Sequence, residues 1–182
     1  MALLAFSSGL AASPTPGTAE SAAEAIVRGA EMRPRIESDS PDLVTPDTLQ
    51  RLVTIRAAHP LPIKPEVECM ARTVYHEASN QALRGQLAVA QVILNRTHTD
   101  VFPRTVCGVV GQPGQFSHGP MTATASMSGS WHTAVAISAI AEEDHVAQVA
   151  PGALFFHAAY VRPAWSQTHE RIAQIGDHIF YR

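Results

Sequence analysis

The aromatic residues of this chain lie almost entirely in its last two thirds, which limits where a hydrophobic core can form. Of the 182 residues, the first 65 contain one aromatic, Phe6, and 8 of the 13 prolines. Residues 66–182 contain the other 10 aromatics, both cysteines and 8 of the 9 histidines. Such a stretch is long enough to bury a core. We therefore expect one folded domain over 66–182 and a linker with some helical tendency, partly disordered, over 13–65. The alternative is that residues 49–55 of this segment dock on the domain.

Composition excludes several classes of protein. The net charge is −3, so no basic surface indicates nucleic-acid binding. No stretch reaches the roughly 18 uninterrupted apolar residues of a membrane-spanning helix. Residues 1–12 end in small residues before Ser13-Pro14, as a signal peptide does, but lack a basic start. We expect a truncated signal peptide, and therefore export to the periplasm or cell envelope, with an alanine-rich tail as the alternative.

Apolar spacing from residue 65 onward predicts helices first and a small sheet later. Pro65 suits the first position of a helix, and the apolar positions that follow it recur at helical spacing. A second helix is apolar nearly all round, so its Gln91 and Asn95 form either a structural hydrogen-bond hub or the wall of a cleft. The predicted elements are helices over 66–79, 83–97 and 130–143, a strand over 153–157, and a hairpin with strands over 171–175 and 178–181. This order indicates an α+β fold.

The two cysteines allow three interpretations. An exported chain tends to pair its cysteines, so we expect a disulfide between Cys69 and Cys107. The alternatives are a nucleophilic thiol at Cys107, working with one of the later histidines, and two inert thiols.

Glu77 is the strongest single candidate for chemistry. The string His76-Glu77 begins like a zinc-protease helix, but the second histidine is replaced by Asn80. Scattered histidines offer no metal-ligand spacing, so we expect no metal. Glu77 falls near a helix end at the edge of an apolar face, a placement that suits a general acid at a glycosidic bond. The alternative is an ordinary, partly exposed glutamate.

Several blocks in one order give the chain a family resemblance. The blocks begin with Cys-Met-Ala-Arg-Thr-Val-Tyr-His-Glu-Ala at 69–78, Gly-Gln-Leu-Ala-Val-Ala-Gln-Val-Ile-Leu-Asn-Arg at 85–96 and Phe-Pro-Arg-Thr-Val-Cys-Gly-Val-Val at 102–110. They continue with Gln-Phe-Ser at 115–117, Ala-Leu-Phe-Phe-His at 153–157, Val-Arg-Pro-Ala-Trp at 161–165 and Ile-Gly-Asp-His-Ile-Phe-Tyr-Arg at 175–182. Together they resemble the SleB-type cell wall hydrolases, over about residues 66–182.

The resemblance implies a compact, lysozyme-like α+β catalytic domain acting on the glycan strands of peptidoglycan, with no cofactor. It assigns the catalytic acid to Glu77. Phe116, Ser117, His157 and Trp165 match family blocks and are inferred to line the substrate cleft. The family often continues the glutamate block with Arg-Gly-Glu, whereas this chain has Ser-Asn-Gln at 79–81, so a second acid at that point is absent.

One acid favours one reaction. Without a partner carboxylate, the 6-hydroxyl of muramic acid can act as the nucleophile, which gives lytic transglycosylation and a 1,6-anhydro end. A carboxylate folded across the cleft, from Asp100 or Glu170, would instead give a hydrolytic muramidase or glucosaminidase. An amidase or peptidase that uses Cys107 or a metal is a third hypothesis, and an inactive sugar-binding module is a fourth. We expect the chain to act as a monomer.

Overall fold

A computed structural model describes residues 45–116, 128–144 and 146–182. All of them belong to one compact unit, Ser40–Arg182. The predicted signal peptide over 1–12, the part of the predicted linker before residue 45, and Ser117 fall outside the described residues.

Helices precede a small antiparallel sheet, so the predicted α+β class is confirmed. The helices are α1 (Pro46–Ala58), α2 (Pro65–Ala78), α3 (Leu83–Thr97), α4 (Val106–Val110) and α5 (Gly129–Glu142). The strands are β1 (Phe155–Ala158), β2 (Arg171–Ile175) and β3 (His178–Tyr181), with a 3-10 turn at Ala164–Gln167 before β2. The bounds of α2, α3, α5, β2 and β3 agree with the sequence predictions to within one residue. The sequence did not predict α4 or the 3-10 turn.

The helical core forms where α2, α3 and α5 meet. Pro65 begins α2, and two glutamates in its first turn suit the positive end of the helix dipole. The Ser128 hydroxyl caps α5 by accepting a hydrogen bond from the Trp131 N–H at 3.1 Å. Because α3 lies between the other helices, its residues from Leu87 to Ile93 are buried.

The polar residues of α3 form a structural hub rather than the wall of a cleft. The Gln91 side chain donates to the Ala147 carbonyl (3.1 Å) and accepts from the Val149 N–H (2.9 Å). The Asn95 amide donates to the Ala153 carbonyl at 3.0 Å. Both side chains therefore fix the segment that leads into β1.

The sheet has the strand order β1-β3-β2, and both pairs are antiparallel. Strands β2 and β3 form the predicted hairpin around Gly176-Asp177. Gly176 has a φ of 56°, a conformation that favours glycine at the first position of a two-residue turn. Phe180 is fully buried against the helices, so one face of the sheet joins the core.

The predicted disulfide between Cys69 and Cys107 is present, with the Cα atoms 5.3 Å apart. It ties α4 to α2, and the Glu66 carboxylate supports this junction by accepting from the Cys107 N–H at 2.9 Å. Closing a loop of 38 residues stabilises the fold by roughly 4 kcal/mol in the chain-entropy model.

The expectation of a linker over 13–65 is wrong for residues 46–58. There, α1 packs on α5 and α3, and Leu49 is fully buried in the core. Thr45 caps this helix by accepting from the Thr48 N–H, and Pro46 begins it. The sequence shows only a short apolar pattern among prolines, because the surfaces that stabilise α1, on α3 and α5, lie about 40 and 80 residues further along the chain.

We predict that Leu49→Ala lowers the free energy of unfolding by roughly 2–5 kcal/mol, because it removes a fully buried side chain and leaves a cavity. Urea unfolding of the full chain measures the change. Ile55→Ala on the same helix is the control, since Ile55 is 52% exposed and should cost far less. Equal, small losses in the two variants would show that α1 does not contribute to the core.

Candidate functional site

Glu77 lies in the last turn of α2, where the helical core meets the sheet. Its side chain is half-buried, and the next residue, Ala78, is fully buried. Across from it, β3 begins at His178, which is 7% exposed. The charge of Glu77 acts on His178, so the two groups are electrostatically coupled. The predicted acid therefore lies within electrostatic range of the beginning of β3.

His178 sits in an apolar pocket made by two aromatic rings. The Phe156 and Phe180 ring centroids lie 5.2 and 6.3 Å from its own, both edge-on. Desolvation lowers the pKa of His178 below its ordinary value of 6.5, while the charges of Glu77 and Asp177 oppose this shift and His157 adds to it. The ring is therefore favoured in its neutral form beside Glu77.

Most of the other carboxylates of residues 66–182 have partners of their own. Seven of the eight accept a hydrogen bond or form an ion pair with a described residue. The pairs are Glu66 with the Cys107 N–H, Glu68 with Arg72, Asp100 with Arg104, Glu142 with Lys64, Glu143 with Arg56, Glu170 with Arg182, and Asp177 with Gln81. The eighth, Asp144, is exposed after the end of α5. Asp100 and Glu170, the two suggested partners of Glu77, thus each pair with an arginine.

The predicted cleft residues divide between the two faces of the sheet. The Phe116 ring packs on Phe156, 6.4 Å between centroids, on the face that also carries Phe180 and His178. His157 and Trp165 lie 5.5 Å apart on the opposite face. Phe116 thus contacts Phe156, Phe156 contacts His178, and His178 is the residue on which the charge of Glu77 acts. Their roles as cleft residues stay predictions.

His157 uses both ring nitrogens within the protein. Its Nδ1 is 2.9 Å from the Ala158 carbonyl, which can only accept, so Nδ1 carries the proton. In the neutral ring, Nε2 then accepts from the Tyr181 hydroxyl at 3.0 Å. The ring also stacks on Tyr181. Only the remaining ring surface of His157 is therefore open to a substrate contact.

Arg96 has no predicted role in the sequence, but it contacts several of the groups around Phe116. Its Nε donates to the Leu154 carbonyl (2.8 Å) and its Nη1 to the Gln115 side chain (3.1 Å). The guanidinium lies 4.7 Å from the Phe102 ring centroid and 5.1 Å from that of Phe116. Burial lowers the pKa of Arg96 to about 10, so it stays charged at neutral pH. Its spacing from buried Val89 and Val92 was the signal that could have revealed it.

The alternative of a nucleophilic cysteine loses its structural basis. Cys107 is in the disulfide and the chain has no free cysteine, so a cysteine nucleophile is ruled out in this state. Within residues 45–116, 128–144 and 146–182, no three histidine, cysteine or acidic side chains come together as a metal site would require.

A hollow between helices lies away from Glu77, near the start of α2. It has a volume of about 400 Å³ between α1, α5 and the segment that joins α1 to α2. It is lined by Val67, near the start of α2, whereas Glu77 lies about 15 Å further along that helix. This distance separates the hollow from the candidate acid.

We predict that the pH dependence of stability reports on buried His178. Because its folded-state pKa is lowered, the unfolded chain binds a proton below about pH 6.5 that the folded chain does not. Stability should therefore fall as the pH falls from 7.5 to 5.5, and His178→Gln should reduce this slope. Urea unfolding at both pH values measures it, with the exposed His98→Gln as control. An unchanged slope in His178→Gln would contradict the assignment.

Comparison with solved structures reveals two similar catalytic domains. One is the catalytic domain of the germination-specific lytic transglycosylase SleB from Bacillus anthracis, with a TM-score of 0.53 and 31% identity, covering 68% of this chain and 99% of that one. The other is the catalytic domain of the Bacillus cereus SleB protein, with a TM-score of 0.53 and 32% identity, covering 68% and 94%. These similarities support the lysozyme-like interpretation of the α+β fold.

Two relatives that are similar in sequence are both spore cortex-lytic enzymes. A spore cortex-lytic enzyme from Oceanobacillus iheyensis is 35% identical over 119 residues, and one from Bacillus cereus is 33% identical over 119 residues. Each match covers 63% of this chain but only 41% and 43% of the relatives, so the chain spans less than half of their length.

The family model described as Cell Wall Hydrolase matches residues 80–181, beginning three residues after Glu77. This match covers more than half of the 182 residues. The chain belongs to the cell wall hydrolase family.

Proposed function

We propose that this protein is a lytic transglycosylase that cuts the glycan strands of peptidoglycan, with Glu77 as its one catalytic acid and base. The observation that carries the proposal is the distribution of carboxylates. Glu77 lies half-buried where α2 meets the sheet. Of the other eight carboxylates of residues 66–182, six have protein partners away from this place, and Asp177, the one near His178, is hydrogen-bonded to Gln81.

The comparisons support the same class of reaction. The solved catalytic domain from Bacillus anthracis is described as a germination-specific lytic transglycosylase, and this chain covers 99% of it. The family membership supports a cell wall substrate. Glu77 precedes the matched segment, so its role rests on the Val-Tyr-His-Glu-Ala block at 74–78 and on its place in the fold.

The proposed mechanism needs one protein carboxyl group. Glu77 donates its proton to the glycosidic oxygen as the bond from that oxygen to the muramic acid anomeric carbon breaks. The 6-hydroxyl of the same sugar forms a new bond to this carbon and returns its proton to Glu77. The hydroxyl is tethered to the reacting sugar, so its effective concentration is high. The products are a free glycan end and a 1,6-anhydro ring, and no water is consumed.

We place this activity outside the cytoplasm, in the periplasm or cell envelope, because peptidoglycan is there and residues 1–12 end in small residues as a signal peptide does. Among the described residues, no helix is long and apolar enough to cross a membrane. The partner that the proposal requires is the glycan strand itself. It requires no cofactor and no second protein subunit.

A hydrolytic muramidase or glucosaminidase is the closest competing function. It would use Glu77 as the acid but needs a second group to position water. The acidic group that shares the surroundings of His178 with Glu77 is Asp177, and its carboxylate is hydrogen-bonded to Gln81.

Amidase chemistry with a metal would lose activity in a chelator, whereas the proposed reaction would not.

We predict that Glu77→Gln lowers the turnover of purified peptidoglycan sacculi by about 10²–10⁴-fold, because the amide has the same shape but no proton to donate. Mass spectrometry of released muropeptides measures it, and wild-type products should be 1,6-anhydro fragments. Glu68→Gln is the matched control on the same helix, since Glu68 forms only a surface ion pair with Arg72. Near-wild-type turnover by folded Glu77→Gln would refute the assignment.

A further inference from the structure

The side chain of Gln81 makes two hydrogen bonds to one residue of the hairpin turn. Its Nε2 donates to the Asp177 carboxylate at 3.1 Å, and its Oε1 accepts from the Asp177 N–H at 2.9 Å. The two residues are 96 positions apart in the chain. A two-point contact of this kind fixes orientation as well as distance, so the amide of Gln81 clamps the turn in one position.

The neighbouring turn and the Gln81 backbone both hold the amide of Gln81 in place. A Cβ atom at Gly176 would lie 2.4 Å from Gln81 Oε1, so the turn approaches the amide as closely as only glycine allows. The Gln81 backbone is fixed as well, because its N–H donates to the Ala78 carbonyl (2.9 Å) and its carbonyl accepts from Gln86 (3.0 Å). The amide therefore projects from a rigid corner between α2 and α3.

The clamp joins the two sides of the candidate site. On one side, the Ala78 carbonyl that holds Gln81 belongs to the residue after Glu77. On the other side, Asp177 directly precedes His178, the buried residue whose titration senses both Glu77 and Asp177. The position of β3 relative to the end of α2 is thus set within a few residues of the proposed acid.

We propose that Gln81 and Asp177 are positioning residues for Glu77, and that the pairing of an amide at 81 with a carboxylate at 177 is what holds the sheet edge at its working distance from the acid. This inference rests on the proposed function. It assigns no proton transfer to either residue.

The chemistry of the pair makes the proposal specific. Gln81 contributes one donor and one acceptor, while Asp177 contributes a carboxylate acceptor and a backbone donor. A glutamate at 81 would place two carboxylates at hydrogen-bond distance, where like charges repel. Adding asparagine at 177 would restore a donor for the new carboxylate and leave the backbone N–H bond intact. The exchanged pair should therefore clamp the turn as the natural one does.

The test compares Gln81→Glu, Asp177→Asn and the double variant in the full chain. Steady-state kcat and KM are measured on soluble peptidoglycan glycan fragments, together with thermal unfolding. We expect Gln81→Glu to lower kcat at least about tenfold, with KM changed less than about twofold and the assay run below its unfolding transition. Asp177→Asn should lose less, and the double variant should recover kcat to within about threefold of the wild type.

Gln174→Glu is the matched control, because it makes the same substitution at an exposed position of β2, where the side-chain oxygen accepts a hydrogen bond from Arg171 at 2.7 Å. Its kcat should stay within about twofold of the wild type. If Gln81→Glu does not fold, Gln81→Ala, which removes both contacts without adding charge, takes its place with the same expected loss of kcat.

Two results would overturn the positioning role. One is a wild-type kcat in folded Gln81→Glu or Gln81→Ala. The other is a double variant as stable as the wild type that recovers no kcat. Either result, with Glu77→Gln still inactive, would leave the proposed function standing. An active Glu77→Gln would instead remove the function on which the inference rests.

Discussion

The central helix α3 must supply hydrogen-bond partners for the polar groups that it buries, and the rest of the structure follows from this constraint. An unpaired buried amide or guanidinium costs roughly 1–3 kcal/mol or more. Gln91, Asn95 and Arg96 meet that requirement through the segment between Ala147 and Leu154. That segment leads directly into β1, so the polar residues of α3 determine where the sheet begins and which face it turns to the helices.

The candidate site is a consequence of this arrangement. Once β1 is held by α3, β3 pairs with it and brings His178 to the end of α2, where Glu77 lies. The disulfide holds the start of the same helix. Glu77 is thus placed by both ends of α2 and by the sheet edge. Of the other carboxylates in residues 66–182, Asp177 shares the surroundings of His178 with Glu77, and it is hydrogen-bonded to Gln81.

Much of the fold could be predicted from the sequence, and the omissions have a common cause. Periodicity and end signals located α2 and α3 because these helices carry their information locally, in Pro65 and in regular apolar spacing. The sequence predicts a linker where α1 lies, because Leu49 is buried against helices that are distant in the chain. Glu77 stands out in the sequence through its place at a helix end and through the family resemblance, and its role as the acid stays a prediction. The Gln81 clamp has no such signal, since its partner lies 96 residues away. The predicted cleft residues do not form one group, because alternation along β1 puts Phe156, on which Phe116 packs, and His157 on opposite faces.

The source of the oxygen at the new sugar end tests the central claim, a single acid with the substrate's own hydroxyl as nucleophile, most directly. Purified sacculi are digested by the full chain in water enriched in heavy oxygen, and the released muropeptides are weighed by mass spectrometry. The account predicts 1,6-anhydro ends that carry no label, because no water enters the reaction. Labelled reducing ends would show that water is the nucleophile, and would contradict the single-acid mechanism assigned to Glu77.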